Sequence, residues 1–182
     1  MKISGDIIQI DKNKKNPLRQ IAREIKNEEF NTTYIKNVVD AMQKALAKEN
    51  DGVALASPQI SLPLRIFVVS PNAYPEDTKL KPLVFINPRI VKKSKKNAEM
   101  QEGCLSVRWI YGKTTRSISA TVEAYDVTGK KFNYGASGLL AHIFQHEIDH
   151  LDGILFIDHG FDFEEYTEEE VKSQSTEVKS EK

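Results

Sequence analysis

The sequence predicts an α+β fold: antiparallel or mixed strands around a central H-E-x-x-H helix, with an amphipathic helix nearer the N-terminus. Three observations lead there. Residues 31–52 carry an apolar stripe at helical spacing. Residues 64–134 hold short runs of branched and aromatic residues interrupted by prolines and turn signals. From Ser137 the period returns to helical through "GLLAHIFQHEIDHL".

In the first helix, Ile35, Val38, Val39, Met42, Ala45 and Leu46 share one face, with lysines and Asp40 between them. Asn31 or Thr32 is placed to cap its start, and Asn50-Asp51-Gly52 ends it. "LRIFVVS" and "PLVFINPRIV" read as strands, because each is short, rich in β-branched and aromatic residues and bounded by proline. "KKSKK" at 92–96 reads as a solvated turn, with a polyanion site as the minor alternative. In "SISATVEAYDVTGKKFNY", Ile118, Ala120, Val122 and Ala124 alternate on one face, and residues 126–129 turn the chain into a hairpin partner. The second helix starts at a Ser137 cap and stops at Gly153. Beyond it, residues 160–182 carry eight acids against three lysines, which predicts a short acidic helix fraying into a disordered tail. The expected organisation is one domain over residues 1–165 and an acidic tail over 166–182.

Composition narrows the function. The chain has 182 residues, 26 basic and 26 acidic, so it lacks the basic excess of a nucleic-acid binder. Cys104 stands alone, which excludes an internal disulfide framework and fits a reducing compartment. No run approaches the roughly 18 apolar residues of a membrane span, and no targeting segment is visible. Neither nucleic acid nor membrane is an expected partner, and the expected location is cytoplasmic.

The chemistry centres on "QHEIDHLDG". Four helical residues advance about 6 Å and turn slightly more than once, so His146 and His150 project from one face and can bind one ion. Glu147 lies too far round to join them easily, but sits well beside a metal-bound water. H-E-x-x-H also arises by chance in ordinary helices. Here Leu139, Ile143, His146 and His150 share a stripe, and histidines on a buried face require polar partners or a metal.

A third ligand is needed. The extended metzincin pattern fails, because position 156, where its third histidine would stand, is phenylalanine. A downstream glutamate would have to come from the tail, from Glu164 onward. The stronger candidate is Cys104 in "QEGCLSV", next to Glu102 and after Gly103, whose missing side chain permits close backbone approach. A lone cysteine is more often a small buried hydrophobe. A thiolate with two imidazoles leaves a fourth position open, as in catalytic sites. A nucleophilic cysteine with a histidine base is the competing arrangement, but it gives His150 and Glu147 no task.

"GVALASPQ" (52–59), "EGCLS" (102–106) and "QHEIDHLDG" (145–153) together resemble the three motifs of peptide deformylases, in that family's order and spacing, with the likeness running from about 17 to 156. The second and third match in full. The first departs at Ala54, where glycine is usual, and at Ser57, where alanine is common; Arg108 stands where proline commonly follows "SV". The resemblance implies removal of the formyl group from N-terminal formyl-methionine of nascent chains. By motif position it implies Cys104, His146 and His150 as metal ligands and Glu147 as general base and then acid. Gln59 and the Leu105 backbone N–H become oxyanion donors. Val53, Ala54, Gly103, Leu139, His142 and Ile143 become substrate-binding residues, with an exposed rim position as the plainer reading of His142. Arg116 is implied to pair with Glu102. The implied cofactor is one divalent ion, Fe²⁺ first, with Zn²⁺, Ni²⁺ or Co²⁺ able to substitute. The implied partners are N-formylmethionyl peptides and the translating ribosome, although the acidic tail counts against docking there. A zincin-type peptidase and a non-catalytic formyl-peptide-binding metal module are the alternatives.

Overall fold

The structure is a computed structural model that describes residues 3–10, 16–73 and 83–171. Helix α1 (Thr33–Leu46) begins where the Thr32 side chain accepts a hydrogen bond from the Ile35 N–H, which satisfies one of the unpaired donors at a helix start. The buried residues of α1 are the six of its apolar stripe. They face strands β1 (Ala54–Ala56), β2 (Ile66–Val69) and β3 (Leu83–Lys93).

These strands form one edge of a five-stranded antiparallel sheet ordered β1-β2-β3-β6-β7, completed by β6 (Ser119–Tyr125) and β7 (Lys131–Ser137). Leu55, Ile66, Val68 and Ile86 join the cluster under α1. Their neighbours Ala54, Ala56, Phe67, Val69 and Phe85 point the other way, into a second cluster. A strand covered on both faces has no polar side to show, so β2 reads as a continuous apolar run. The predicted alternation in β6 holds for Ala120, Val122 and Ala124, all buried. Ile118 falls just before that strand and is half-buried. The Asp126 carboxylate accepts from the N–H groups of Thr128 and Lys130, which makes the predicted turn.

Helix α2 (Gly138–Leu151) lies on the opposite face from α1, with Ile143, Phe144, Ile148 and Leu151 in the second cluster. The Phe144 ring meets Phe85 edge-on at 5.1 Å, and Phe85 stacks on Phe67 at 4.4 Å. Ser137 is the residue before α2 as predicted, but its side chain makes no capping bond.

A second sheet, β4-β5-β8, was only partly legible in the sequence. Strand β4 (Asn97–Cys104) pairs with β5 (Val107–Ser117) through a two-residue turn at Leu105 and Ser106. Strand β8 (Phe161–Glu165) adds to β5 with Ile110 opposite Glu165 and Lys113 opposite Phe161. This corrects the expectation that acidic helix begins directly after 160. Phe161 and Phe163 alternate with acids at the period of a strand, and Phe163 covers Gly112. A short helical stretch follows at 168–171; residues 172–182, where the disordered tail was expected, lie outside the described residues. Among the described residues no helix is long and apolar enough to cross a membrane.

Candidate active site

The β4–β5 hairpin and α2 face each other across a cleft of about 250 Å³. The hairpin brings Glu102, Gly103, Cys104 and Leu105; α2 brings His142, His146 and His150, each one turn from the next along one face, with Glu147 beside His146. The loop before β1 and the helical turn Ser57–Ile60 after it close the remaining side with Val53, Ala54 and Gln59. Leu139 and Ile143 also line the cleft, Leu139 half-exposed at its mouth. Every proposed site residue except His150 borders this space, and His150 is buried behind it.

Donor atoms of Cys104, His146 and His150 lie within 4.8 Å of one another, and Cys104 Sγ stands 3.1 Å from His150 Nε2. Among the described residues this is the one group of three or more such side chains converging on a point. Glu164, the first tail glutamate, is instead paired on β8 opposite Tyr111. That takes Glu164 out of the ligand set, and among the described residues no tail glutamate joins the group.

Glu102 organises the cluster from below. Its carboxylate accepts from Arg116 Nη2 and Nε at 2.8 and 2.9 Å, from the Thr114 hydroxyl, from His142 Nε2 at 2.5 Å and from His146 Nδ1. An ionised carboxylate only accepts, so the His146 proton sits on Nδ1 and the Nε2 lone pair of the neutral ring is left for a metal. Burial opposes charge on Glu102, but the two histidines and Arg116 outweigh it and hold the carboxyl well below its usual range. Arg116 also reaches Asp149 at 2.7 Å. His142 is therefore not the exposed rim residue of the plainer reading: it is buried and fixes Glu102.

The two candidate histidine ligands sit in opposite electrostatic surroundings. Burial pushes His150 well below its ordinary value, which keeps it neutral. Burial opposes a proton on His146 too, yet the adjacent Cys104 sulfur and Glu102 carboxylate raise it well above. A ligating imidazole must be neutral, so metal binding there releases a proton. Burial raises the Glu147 carboxyl to about 7. Its Oε2 is buried without a hydrogen-bond partner, which is costly unless a polar species sits beside it. One sulfur and two imidazoles fit a divalent transition ion with a position to spare.

Gln59 is held in one orientation. The Ala56 N–H donates to Gln59 Oε1 at 2.8 Å, which forces the amide NH₂ towards Cys104 Sγ at 3.7 Å and Ser106 Oγ at 3.2 Å. Gly103 meets its expected close neighbour: a Cβ there would lie 2.7 Å from the Tyr111 ring.

Sequence reasoning missed several supports. Thr114 belongs to no motif, and Asp149, although inside "QHEIDHLDG", was given no role. Gln9 holds the hairpin turn from outside, donating to the Leu105 carbonyl at 2.9 Å. A lone glutamine 96 residues away carries no sequence signal of that contact.

A cysteine sulfur on β4 facing two imidazoles and a buried carboxylate on one H-E-x-x-H helix defines a metal-dependent hydrolase. The polypeptide deformylase family model matches residues 7–165, and the chain belongs to that family. It is 43% identical over 124 residues to peptide deformylase 1B, chloroplastic/mitochondrial, of Arabidopsis thaliana, covering 68% of this chain but 44% of that protein. It is 40% identical to the peptide deformylase of Desulforudis audaxviator, covering 78% and 85% of the two chains. Its fold matches the Met-Ala-Ser-bound crystal structure of a class I type b peptide deformylase from Acinetobacter baumannii, with a TM-score of 0.76 and 29% identity over 87% of this chain and 99% of that one.

Proposed function

We propose that this chain removes the formyl group from N-formylmethionyl peptides and releases formate, with Cys104, His146 and His150 holding one divalent ion. The observation that carries the reading is the convergence of those three donors within 4.8 Å on a cleft that also contains Glu147 and Gln59. Fe²⁺ is the proposed native ion, from the family resemblance; Zn²⁺, Ni²⁺ and Co²⁺ suit the same ligands. When bound, the ion supplies Lewis-acid polarisation and lowers the pKa of water.

The chain's own groups do the rest. Glu147, with a carboxyl near 7, takes the proton of the attacking water and returns it to the departing amine. The Gln59 amide and the Leu105 N–H stabilise the oxyanion, each worth about 3 kcal/mol when well aimed. Glu102 keeps the His146 ring in register through its Nδ1–H. A formamide carbon bears only hydrogen, so a cramped centre accepts it and excludes a larger acyl group, while Leu139 and Ile143 offer apolar surface to the methionine thioether. The substrate is the formylated end of a nascent chain, free or still on the translating ribosome. The place of action that follows is the cytoplasm.

The test uses anaerobically purified protein with measured metal content, offered formyl-Met-Ala-Ser and its acetyl twin. Formate release from the first and no hydrolysis of the second is the expected result. A fully metallated protein that binds the formyl peptide without cleaving it would convert the reading to a binding module.

A further inference from the structure

We propose that Arg108 is a positioning residue that clasps the two rims of the cleft through Glu49 and Asp51 and thereby sets the peptide-binding edge at Val53 and Ala54. Its consequence for substrate rests on the deformylase reading above; the clasp itself does not.

The side chain leaves β5 just past the turn that carries Leu105, at the position where related chains commonly have proline. Its Nη1 donates to Asp51 Oδ2 at 2.7 Å and its Nη2 to Glu49 Oε2 at 2.5 Å. Those acids lie in the loop between α1 and β1, directly before Gly52, Val53 and Ala54. One guanidinium therefore spans from the hairpin that supplies Cys104 to the strand that lines the opposite side.

Both ends of the span are fixed. On the hairpin side, the Arg108 N–H donates to Gln9 Oε1 at 3.3 Å, while Gln9 Nε2 holds the Leu105 carbonyl. The guanidinium also lies 4.8 Å over the Trp109 ring, which limits its tilt. On the loop side, a Cβ at Gly52 would stand 2.8 Å from Leu46 Cδ1 and 3.3 Å from Leu105 Cδ1, so the loop is pressed against the hairpin turn. The Arg108 side chain is 18% exposed, whereas Glu49 and Asp51 are 30% and 49% exposed. Pairs this open contribute modestly to global stability. Their effect is geometric: they fix the separation of two rims between which a peptide must lie. None of the three touches the metal ligands or Glu147, so loss of the clasp weakens substrate binding more than it slows the chemical step.

Two readouts separate the clasp from the activity it serves. In hydrogen-exchange mass spectrometry, amides of residues 47–56 should exchange about tenfold faster in Arg108→Ala than in wild type, with α2 unchanged. Unchanged exchange over 47–56 would overturn the clasp whatever the enzyme does. For formyl-Met-Ala-Ser, Arg108→Ala should raise KM about fivefold with kcat within about twofold and metal content intact. Arg108→Lys, which keeps the charge but lacks the fork, should fall between. Added salt should raise KM in wild type and leave the Arg108→Ala value flat. Glu49→Gln with Asp51→Asn should reproduce Arg108→Ala, and combining all three should add nothing; this pair also carries the test if Arg108→Ala fails to fold. Faster exchange with an unmoved KM, or loss of kcat together with metal, would refute the positioning role. A wild type that releases no formate would refute the deformylase reading and leave the exchange result to decide the clasp.

Discussion

The two faces of α2 solve opposite problems with one helix. Towards the five-stranded sheet it presents Phe144, Ile148 and Leu151, held by shape and by the Phe67–Phe85–Phe144 aromatic contacts. Towards the β4–β5 hairpin it presents His142, His146 and His150, where the contacts are hydrogen bonds and charge pairs converging on Glu102 and Cys104. The first face tolerates apolar side chains of similar volume, because dispersion and burial are non-directional. The second tolerates almost none, because a carboxylate with five directed hydrogen bonds from four residues is satisfied by one arrangement only. Packing and the proposed chemistry thus fall on different faces of the same fourteen residues.

If that division holds, substitutions on the two faces should affect different observables. Glu147→Ala should lower kcat by about 10³-fold, roughly 4 kcal/mol, with metal content and melting temperature near wild type. Near-normal formate release would remove the general-base role. Phe144→Ala should cost about 3 kcal/mol of unfolding free energy in denaturant titration while kcat per folded molecule stays put; a large fall in kcat at full folding would show that the faces are not independent. Glu102→Gln should weaken metal affinity by about 10- to 100-fold, read by competition with a chelating dye, because the His146 ring loses its anchor. Undiminished affinity would make Glu102 structural only.

The smallest effect lies far from both faces, at Glu29. The Arg23 guanidinium, donating at 2.8 Å, holds the Glu29 carboxyl at about 2. A depressed carboxyl stabilises the fold above its unfolded value near 4.3 and loses that contribution as pH falls towards 2. Glu29→Gln should therefore flatten the pH dependence of stability between about pH 4 and 2, with a cost at pH 7 below about 1 kcal/mol because the pair is at the surface. An unchanged slope would show the pair to be inert.

The same contrast explains what the sequence disclosed. The α1 stripe, the sheet strands and α2 were legible because their burial follows a period of 3.6 or 2 in apolar residues. The β4–β5 hairpin was not, because its inward positions hold Glu102, Thr114 and Arg116, whose polarity mimics a solvated strand until their partners are known. The composition of the acidic segment hid β8, where two phenylalanines at period 2 outweigh the helix propensity of the glutamates. The plainer, rim reading of His142 fails for a related reason: burial of a histidine depends on a carboxylate forty residues away, which no local pattern announces. The convergence of Cys104, His146 and His150 follows from the motifs, whereas Gln9 and Arg108 make contacts nearly a hundred and nearly sixty residues distant.

X-ray absorption at the edge of the bound metal is the most direct examination of the central claim. The metallated protein should give a first shell of one sulfur at about 2.3 Å with nitrogens near 2.0 to 2.1 Å, if the ion is zinc. Cys104→Ala should lose the sulfur and most of the metal. A fully loaded wild-type site whose first shell contains nitrogen and oxygen alone would contradict the account.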